Sequence, residues 1–144
     1  MHKNAAKIQI LTVFLGGQVF GIPTHSIQDV IRPVQMTQVP LAPEHIKGVS
    51  NLRGRIMTVI DLRERINEKP ADTQKSMNVV VEQKGEIYSI LVDRVGDVID
   101  IEDSKIEPPP ESLNAMWRNV LDGVYQADQK LILILNAVNV IESA

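Results

Sequence analysis

The chain of 144 residues is long enough for one domain or at most two very small ones; it carries 15 Lys+Arg against 18 Asp+Glu, a formal net charge of -3, and is 44% hydrophobic. That balance excludes a domain built to grip nucleic-acid phosphates, which concentrates basic residues, and it excludes an intrinsically disordered chain. With no cysteine, disulfides, thiolate metal sites and a cysteine nucleophile are excluded as well.

No apolar run approaches the roughly 20 residues that cross a bilayer. The N-terminal MHKNAAKIQI lacks the apolar core of a signal peptide. The expectation is a soluble, cytoplasmic protein without direct membrane insertion. Val and Ile, 17 of each, together outnumber the 11 Leu threefold, and aromatics make up 3%. β-Branched side chains fit a pleated surface better than a helix, so the composition points to a mainly β fold.

In chain order, Ile8 to Leu15 is an apolar run that stops at Gly16-Gly17 and restarts at Val19 to Ile22, the pattern of a hairpin. Thr24 to Ile31 (THSIQDVI) follows, with Ile27, Val30 and Ile31 at i, i+3, i+4, a spacing that fits either core or a groove face for a partner helix. After Pro40 come an apolar segment from Ile46, the loop Ser50–Arg55, an apolar block from Ile56 to Ile60, and a short helical turn at Leu62–Ile66. The polar stretch Asn67 to Lys75 (NEKPADTQK) reads as a linker. Asn78 to Glu82, Lys84-Gly85 and Ile87 to Val92 make a second hairpin. The Ile101–Ile106 segment ends at Pro108-Pro109-Pro110, a run that stiffens the connection or offers a polyproline ligand. Apolar segments at Leu121–Val124 and Leu131–Leu135 and a helical turn at Ala137–Ile141 complete the chain.

The two hairpins belong to a repeat. A displacement of 68 residues lays Gly17 on Gly85, Phe20 on Tyr88, Asp29-Val30-Ile31 on Asp97-Val98-Ile99 and Pro40 on Pro108. Seven extra residues around Pro109 to Trp117 raise the displacement to 75, and Ile46, Gly48 and Val49 then fall on Leu121, Gly123 and Val124. Five short strands in each half leave exposed edges unless the sheet curls into a small barrel, and halves this small must share a core. The expectation is one mainly β domain over 8–141: two five-stranded barrels packed together, with short helices. Subdomain one is placed at about 8–66, a linker at 67–75 and subdomain two at about 76–141.

Catalytic chemistry finds little support. His2, His25 and His45 lack metal-ligand spacing; His2 falls at a terminus expected to fray, and the other two lie beside turn residues. No nucleophile elbow, Walker loop or dinucleotide fingerprint occurs. No catalytic residue, metal or cofactor is therefore expected. A small β-barrel enzyme would need Asp97, Asp100 and Glu102 to converge in a pocket. Trp117 and Tyr125 are too few for a base-stacking platform. The repeat is broken where the second half reads Tyr125 to Lys130 and the first reads Ser50-Asn51-Leu52-Arg53-Gly54-Arg55. Two guanidiniums flanking a glycine beside a leucine suit protein interfaces and carboxylate pairing, and suit a solvated turn equally.

Ile46 to Arg65 (IKGVSNLRGRIMTVIDLRER) resembles the signature region of the CheW-type coupling proteins of bacterial chemotaxis, through Gly48-Val49, Asn51 to Gly54 and Ile60 to Arg63. The resemblance runs from Ile8 to Ile141 and includes Phe20-Gly21-Ile22, Asp29-Val30-Ile31, Pro40, Val92-Asp93, Ile106 to Pro109 and Gly123-Val124. It implies two SH3-like five-stranded barrels and a non-catalytic adaptor. The implied partners are the regulatory domain of the histidine kinase CheA and the helical tip of a methyl-accepting chemoreceptor. Ile27, Gly48 and Arg53 match positions that bear on receptor coupling, Asp29 matches one that bears on the kinase, and Asn51, Leu52 and Gly54 present Arg53. Met57-Thr58, Asn67 and Asn136 depart from the usual family pattern, none of them in the Asn51–Gly54 loop. A related adaptor of another array, serving twitching motility or gene regulation, is the alternative the resemblance leaves open. Fusion to a phosphorylatable receiver is not expected, since no such segment follows residue 144.

Overall fold

The computed structural model describes residues 6–142; His2 lies outside the described residues. Ten strands form two five-stranded sheets. Strands β1 (Lys7–Leu15), β2 (Gln18–Pro23) and β3 (Ile27–Ile31) precede β4 (Ile46–Leu52), β5 (Arg55–Asp61) and the helical turn α1 (Leu62–Arg65). The second series is β6 (Met77–Gln83), β7 (Glu86–Val92), β8 (Arg94–Glu102), α2 (Ala115–Asn119), β9 (Leu121–Ala127), β10 (Lys130–Leu135) and α3 (Ala137–Glu142). Both expected hairpins form, with Leu15 opposite Gln18 and Gln83 opposite Glu86. The second turn places Lys84 and Gly85 at φ 52° and 80°, both positive as a two-residue type I′ turn requires.

Sheet A has the order β8-β1-β2-β10-β9 and sheet B the order β3-β6-β7-β5-β4. The sheets do not follow the division into 8–66 and 76–141. Each takes its central hairpin from one half and its other three strands from the other half, so the halves exchange hairpins reciprocally. Residues 67–75 do not link the subdomains: they join α1 to β6, and β5 and β6 both lie in sheet B. The chain passes between sheets after Pro23 and again at Asp93. A repeat supplies the same apolar faces and turn signals twice, so local pattern is indifferent to pairing within or across halves. Exchange puts each hairpin between two strands of the other half and joins the halves by the parallel pairs β2–β10 and β5–β7.

The edges of each sheet are drawn together by a two-hydrogen-bond bridge. Thr37 pairs with Val49 (2.8 and 2.9 Å) beside sheet B, and Glu107 pairs with Val124 (2.9 and 2.8 Å) beside sheet A. Glycine permits both crossings: a Cβ on Gly48 would lie 2.7 Å from the Thr37 carbonyl oxygen, and one on Gly123 would lie 2.5 Å from that of Glu107.

Strand alternation produces three cores. Ile10, Ile101, Ile132 and Ile134 fill the inside of sheet A, and Met57, Val59, Val80, Ile87 and Leu91 fill that of sheet B. The intervening residues, among them Val13, Phe20, Ile22, Ile60, Val79, Ile90 and Leu133, meet in a central cluster between the sheets. Most of these strands bury both faces, which accounts for near-continuous apolar runs such as LILIL.

Thr24 to Ile31 is not a helical face. Thr24–Ser26 makes one 3-10 turn and Ile27–Ile31 is strand β3. A bulge between Ile27 and Asp29 resets the alternation, so Ile27 and Val30 both reach the central cluster while Ile31 joins the interior of sheet B. The i, i+3 match arises from that bulge.

Candidate protein interface

Arg53 and Gly54 form the tight turn between β4 and β5. Their φ values, 50° and 85°, are both positive, Leu52 pairs with Arg55 across them, and the Asn51 side-chain oxygen accepts the Gly54 N–H at 2.9 Å. This geometry fixes the turn from within and leaves the Arg53 side chain 73% exposed. Its Nη2 lies 3.3 Å from Oδ2 of Asp29, whose other oxygen accepts the Val30 N–H at 2.8 Å. Strands β3 and β4 are opposite edges of sheet B, so this contact spans the rolled sheet at its end, as the Thr37–Val49 bridge spans it further along. An exposed pair of this kind contributes only about 0–1 kcal/mol to stability.

The structure therefore brings Asp29, Asn51, Arg53 and Gly54 to one rim. Leu52 is half-buried on the interior cluster beneath them, and Ile27 is half-buried against the central cluster. Gly48 is buried under Thr37 and offers no surface. The second arginine of the loop serves its neighbours: Arg55 donates to the Gly85 carbonyl at 2.9 Å and lies 3.6 Å from Glu82, tying the β4–β5 turn to the β6–β7 turn.

Residues farther along the same motif hold the fold. Asp61 is fully buried; one carboxylate oxygen caps α1 by accepting the Arg63 N–H at 3.0 Å, and the other accepts the Ala71 N–H at 2.8 Å. Burial pushes its carboxyl above the usual range, against the two backbone donors and Lys47 at 3.9 Å. Lys47 also pairs with Glu64. Arg63 grips Asp93 with two donors, Nε to Oδ1 at 2.9 Å and Nη2 to Oδ2 at 2.5 Å, and the Gly16 N–H adds a third bond at 2.7 Å. The Arg63 guanidinium holds the Asp93 carboxyl below the usual range. Because Asp93 stands where the chain crosses between sheets, this clamp joins α1, the crossing and the β1–β2 turn. Asp93 and Arg63 are visible in the sequence as motif positions, but nothing local signals their contact, 30 residues apart.

The remaining candidates do not assemble a reaction centre. Asp97 lines a cleft whose walls include neither Asp100 nor Glu102, and Glu102 lies 3.7 Å from Lys105. His25 is exposed; His45 is half-buried, and burial lowers its pKa. Trp117 packs on Phe20 with ring centroids 5.8 Å apart. Among the described residues no His, Asp or Glu cluster could hold a metal ion, and no helix is long and apolar enough to cross a membrane.

Comparison with known proteins bears on these features. A sequence model of the CheW-like domain matches residues 9–144. The probable chemotaxis protein CheW of Rhizobium etli is 29% identical over 133 residues, spanning 92% of this chain and 86% of its own. The chemotaxis protein CheW of Helicobacter pylori is 28% identical over 140 residues, 96% of this chain and 84% of its own. The crystal structure of the scaffolding protein TtCheW from Thermoanaerobacter tengcongensis matches with a TM-score of 0.82 at 30% identity, covering 95% of this chain and 89% of that one.

Proposed function

The chain belongs to the CheW-like domain family, a family of adaptors and scaffolds, and from that membership we propose that it is a non-catalytic adaptor coupling methyl-accepting chemoreceptors to the histidine kinase CheA. It acts in the cytoplasm and reaches the membrane-bound receptors through protein contacts alone. The observation that carries the reading is the exposed Asp29–Arg53 pair: two positions 24 residues apart, matched to kinase contact and receptor coupling, share one rim of sheet B at 3.3 Å. A partner that engages either side chain alters the electrostatic environment of the other, so the two binding events are energetically linked. Leu52 supplies apolar surface beneath the charged pair and Ile27 a half-buried face at the central cluster, while Asn51 and Gly54 shape the turn that presents Arg53 and Gly48 lets Thr37 close the sheet. An α-helical receptor tip laid against such a rim gains burial from the aliphatic side chains and register from the arginine.

The test is titration of the purified protein with a receptor cytoplasmic fragment and with a CheA regulatory domain from the same genome, each alone and then together. Binding of both in one ternary complex is the expected result. Arg53→Glu is expected to weaken receptor binding at least tenfold while changing unfolding free energy by less than about 1 kcal/mol, because the side chain is exposed. Binding of neither partner by the folded protein would refute the coupling role. Loss of fold in the Arg53 variant would refute its assignment to the interface.

A further inference from the structure

The repeat gives the Asp29–Arg53 end of sheet B a counterpart at the corresponding end of sheet A, and the pairing registers confirm the match. Ile27 opposite Val81 and Val30 opposite Val79 correspond to Val95 opposite Val13 and Val98 opposite Leu11. Leu52 opposite Arg55 corresponds to Ala127 opposite Lys130. The strand pairing is thus the same at the two ends, but the turns differ, with Arg53 and Gly54 both at positive φ in one and Asp128 alone in the other, and the side chains have diverged.

In sheet B, Leu52 packs on the interior cluster and Arg53 reaches Asp29. The equivalent positions in sheet A are Ala127, Asp128 and Asp97. The aliphatic side chain is cut to a methyl, and a second carboxylate stands in place of the guanidinium. Neither carboxylate has an ion-pair or hydrogen-bond partner among the described residues. What remains is a cleft of about 870 Å³, floored by Val19, Ile99 and Ile132 with Asp97 and Asp128 in its walls. Two nearby cations share these walls: Arg94 is held over the Phe14 ring, 3.7 Å from its centroid, and Lys130 follows the turn.

We propose that this cleft is a docking site for a surface turn or extended segment of another protein in which an aliphatic residue is followed directly by a basic one. Sheet B identifies the occupant, because it shows what completes this end of the roll: an aliphatic side chain on the interior cluster and a guanidinium against an aspartate. Sheet A keeps the aspartate and lacks both. An incoming aliphatic group takes the apolar floor from water, and the base beside it finds two carboxylates that neither Lys130 nor Arg94, held over Phe14, pairs with.

The test is titration of the intact protein with two ten-residue hairpin peptides, one with the turn Leu-Arg-Gly and one with Leu-Glu-Gly, followed by backbone amide shifts. The basic peptide is expected to bind at least tenfold more tightly, with shifts centred on residues 94–99 and 127–132. Its affinity is expected to fall at least tenfold in D97N and in the double variant A127L/D128R. That double variant fills the cleft with a pair the fold already holds in sheet B, so its urea midpoint is expected to match or exceed the parent's, which separates lost binding from lost folding. Equal binding of the two peptides, or undiminished binding by A127L/D128R, would overturn the proposal. Self-association of the free protein that disappears in both D97N and R53E would make a second copy the occupant and overturn the assignment to a separate partner.

Discussion

Replacing Gly48 with alanine separates closure of the fold from contact with a partner. The added Cβ would stand 2.7 Å from the Thr37 carbonyl oxygen and 3.2 Å from the Met36 Cβ, so the obstruction is backbone and the stem of a side chain, neither of which rotates away. Admitting the methyl moves the 36–37 segment off β4 and strains or breaks the two hydrogen bonds between Thr37 and Val49. Each such bond is worth about 0.5–1.5 kcal/mol net, and overpacking costs about 1–3 kcal/mol. With partial relaxation, a loss of about 2–4 kcal/mol is expected, read as a fall of about 1–2 M in the urea midpoint. Gly123→Ala is the internal control. Its Cβ would meet the Glu107 carbonyl oxygen at 2.5 Å and the Ile106 Cγ2 at 2.6 Å, so a loss of similar size is expected, though it lies outside the Asp29–Arg53 rim. Urea unfolding of both variants, followed by circular dichroism, gives the comparison. A Gly48→Ala protein as stable as the parent that still fails to bind partners would refute the closure argument and make Gly48 a contact residue.

Asp93→Asn removes the charge facing Arg63 and is expected to cost about 1–3 kcal/mol at neutral pH. The folded pKa of Asp93 is depressed below its unfolded value, so its contribution is present above that value and is lost as pH falls through the folded pKa; the stability gap between parent and variant is expected to hold from neutral pH to about pH 5 and to narrow only below about pH 4. Denaturant titrations across that range check it, and a gap independent of pH would show that the charge is not what stabilises the crossing. Residues 1–68 and 69–144 produced as separate fragments are each expected to lack stable β structure and to regain it on mixing, because each sheet draws strands from both. Circular dichroism of the fragments decides this, and a fragment that folds alone would contradict the hairpin exchange.

The elements were legible in the sequence because their signals are local. Lys84-Gly85 marks a type I′ turn, the Val and Ile runs mark strands buried on both faces, and Pro70 marks a loop. The repeat was legible too, down to a functional equivalence that looks like a departure. Asn136 corresponds to Asp61, and just as Asp61 caps α1, the Asn136 side chain caps α3 by accepting the Asn139 N–H at 2.9 Å. The partition of strands between sheets was not legible. Both halves carry the same pattern, and only three-dimensional packing selects the exchanged pairing. The same limit applies at the site. Arg53 was visible as an arginine on a glycine turn, but its contact with Asp29 depends on how sheet B rolls, and the burial of Gly48 depends on where Thr37 crosses. The spacing of Ile27, Val30 and Ile31 misled because a bulge in a strand reproduces the i, i+3 half of a helical period.

Hairpin exchange also bears on how one small chain keeps two ends with different side chains. Had each half closed on itself, a substitution at one end would act on a sheet with its own core and its own stability. Here the central cluster draws Val13, Phe20 and Leu133 from sheet A and Ile60, Val79 and Ile90 from sheet B, so stability is shared while the ends are not. An exposed pair such as Asp29–Arg53 adds little to that core, and its counterpart could change to Asp97 and Asp128 without unfolding the chain. Leu52 and Ala127 are the exception, since both touch interior clusters, and there the change leaves a cleft rather than a collapsed wall. The repeat gives the two ends equivalent strand pairing, and because the shared core carries the stability, the exposed side chains at either end can differ with little effect on the fold.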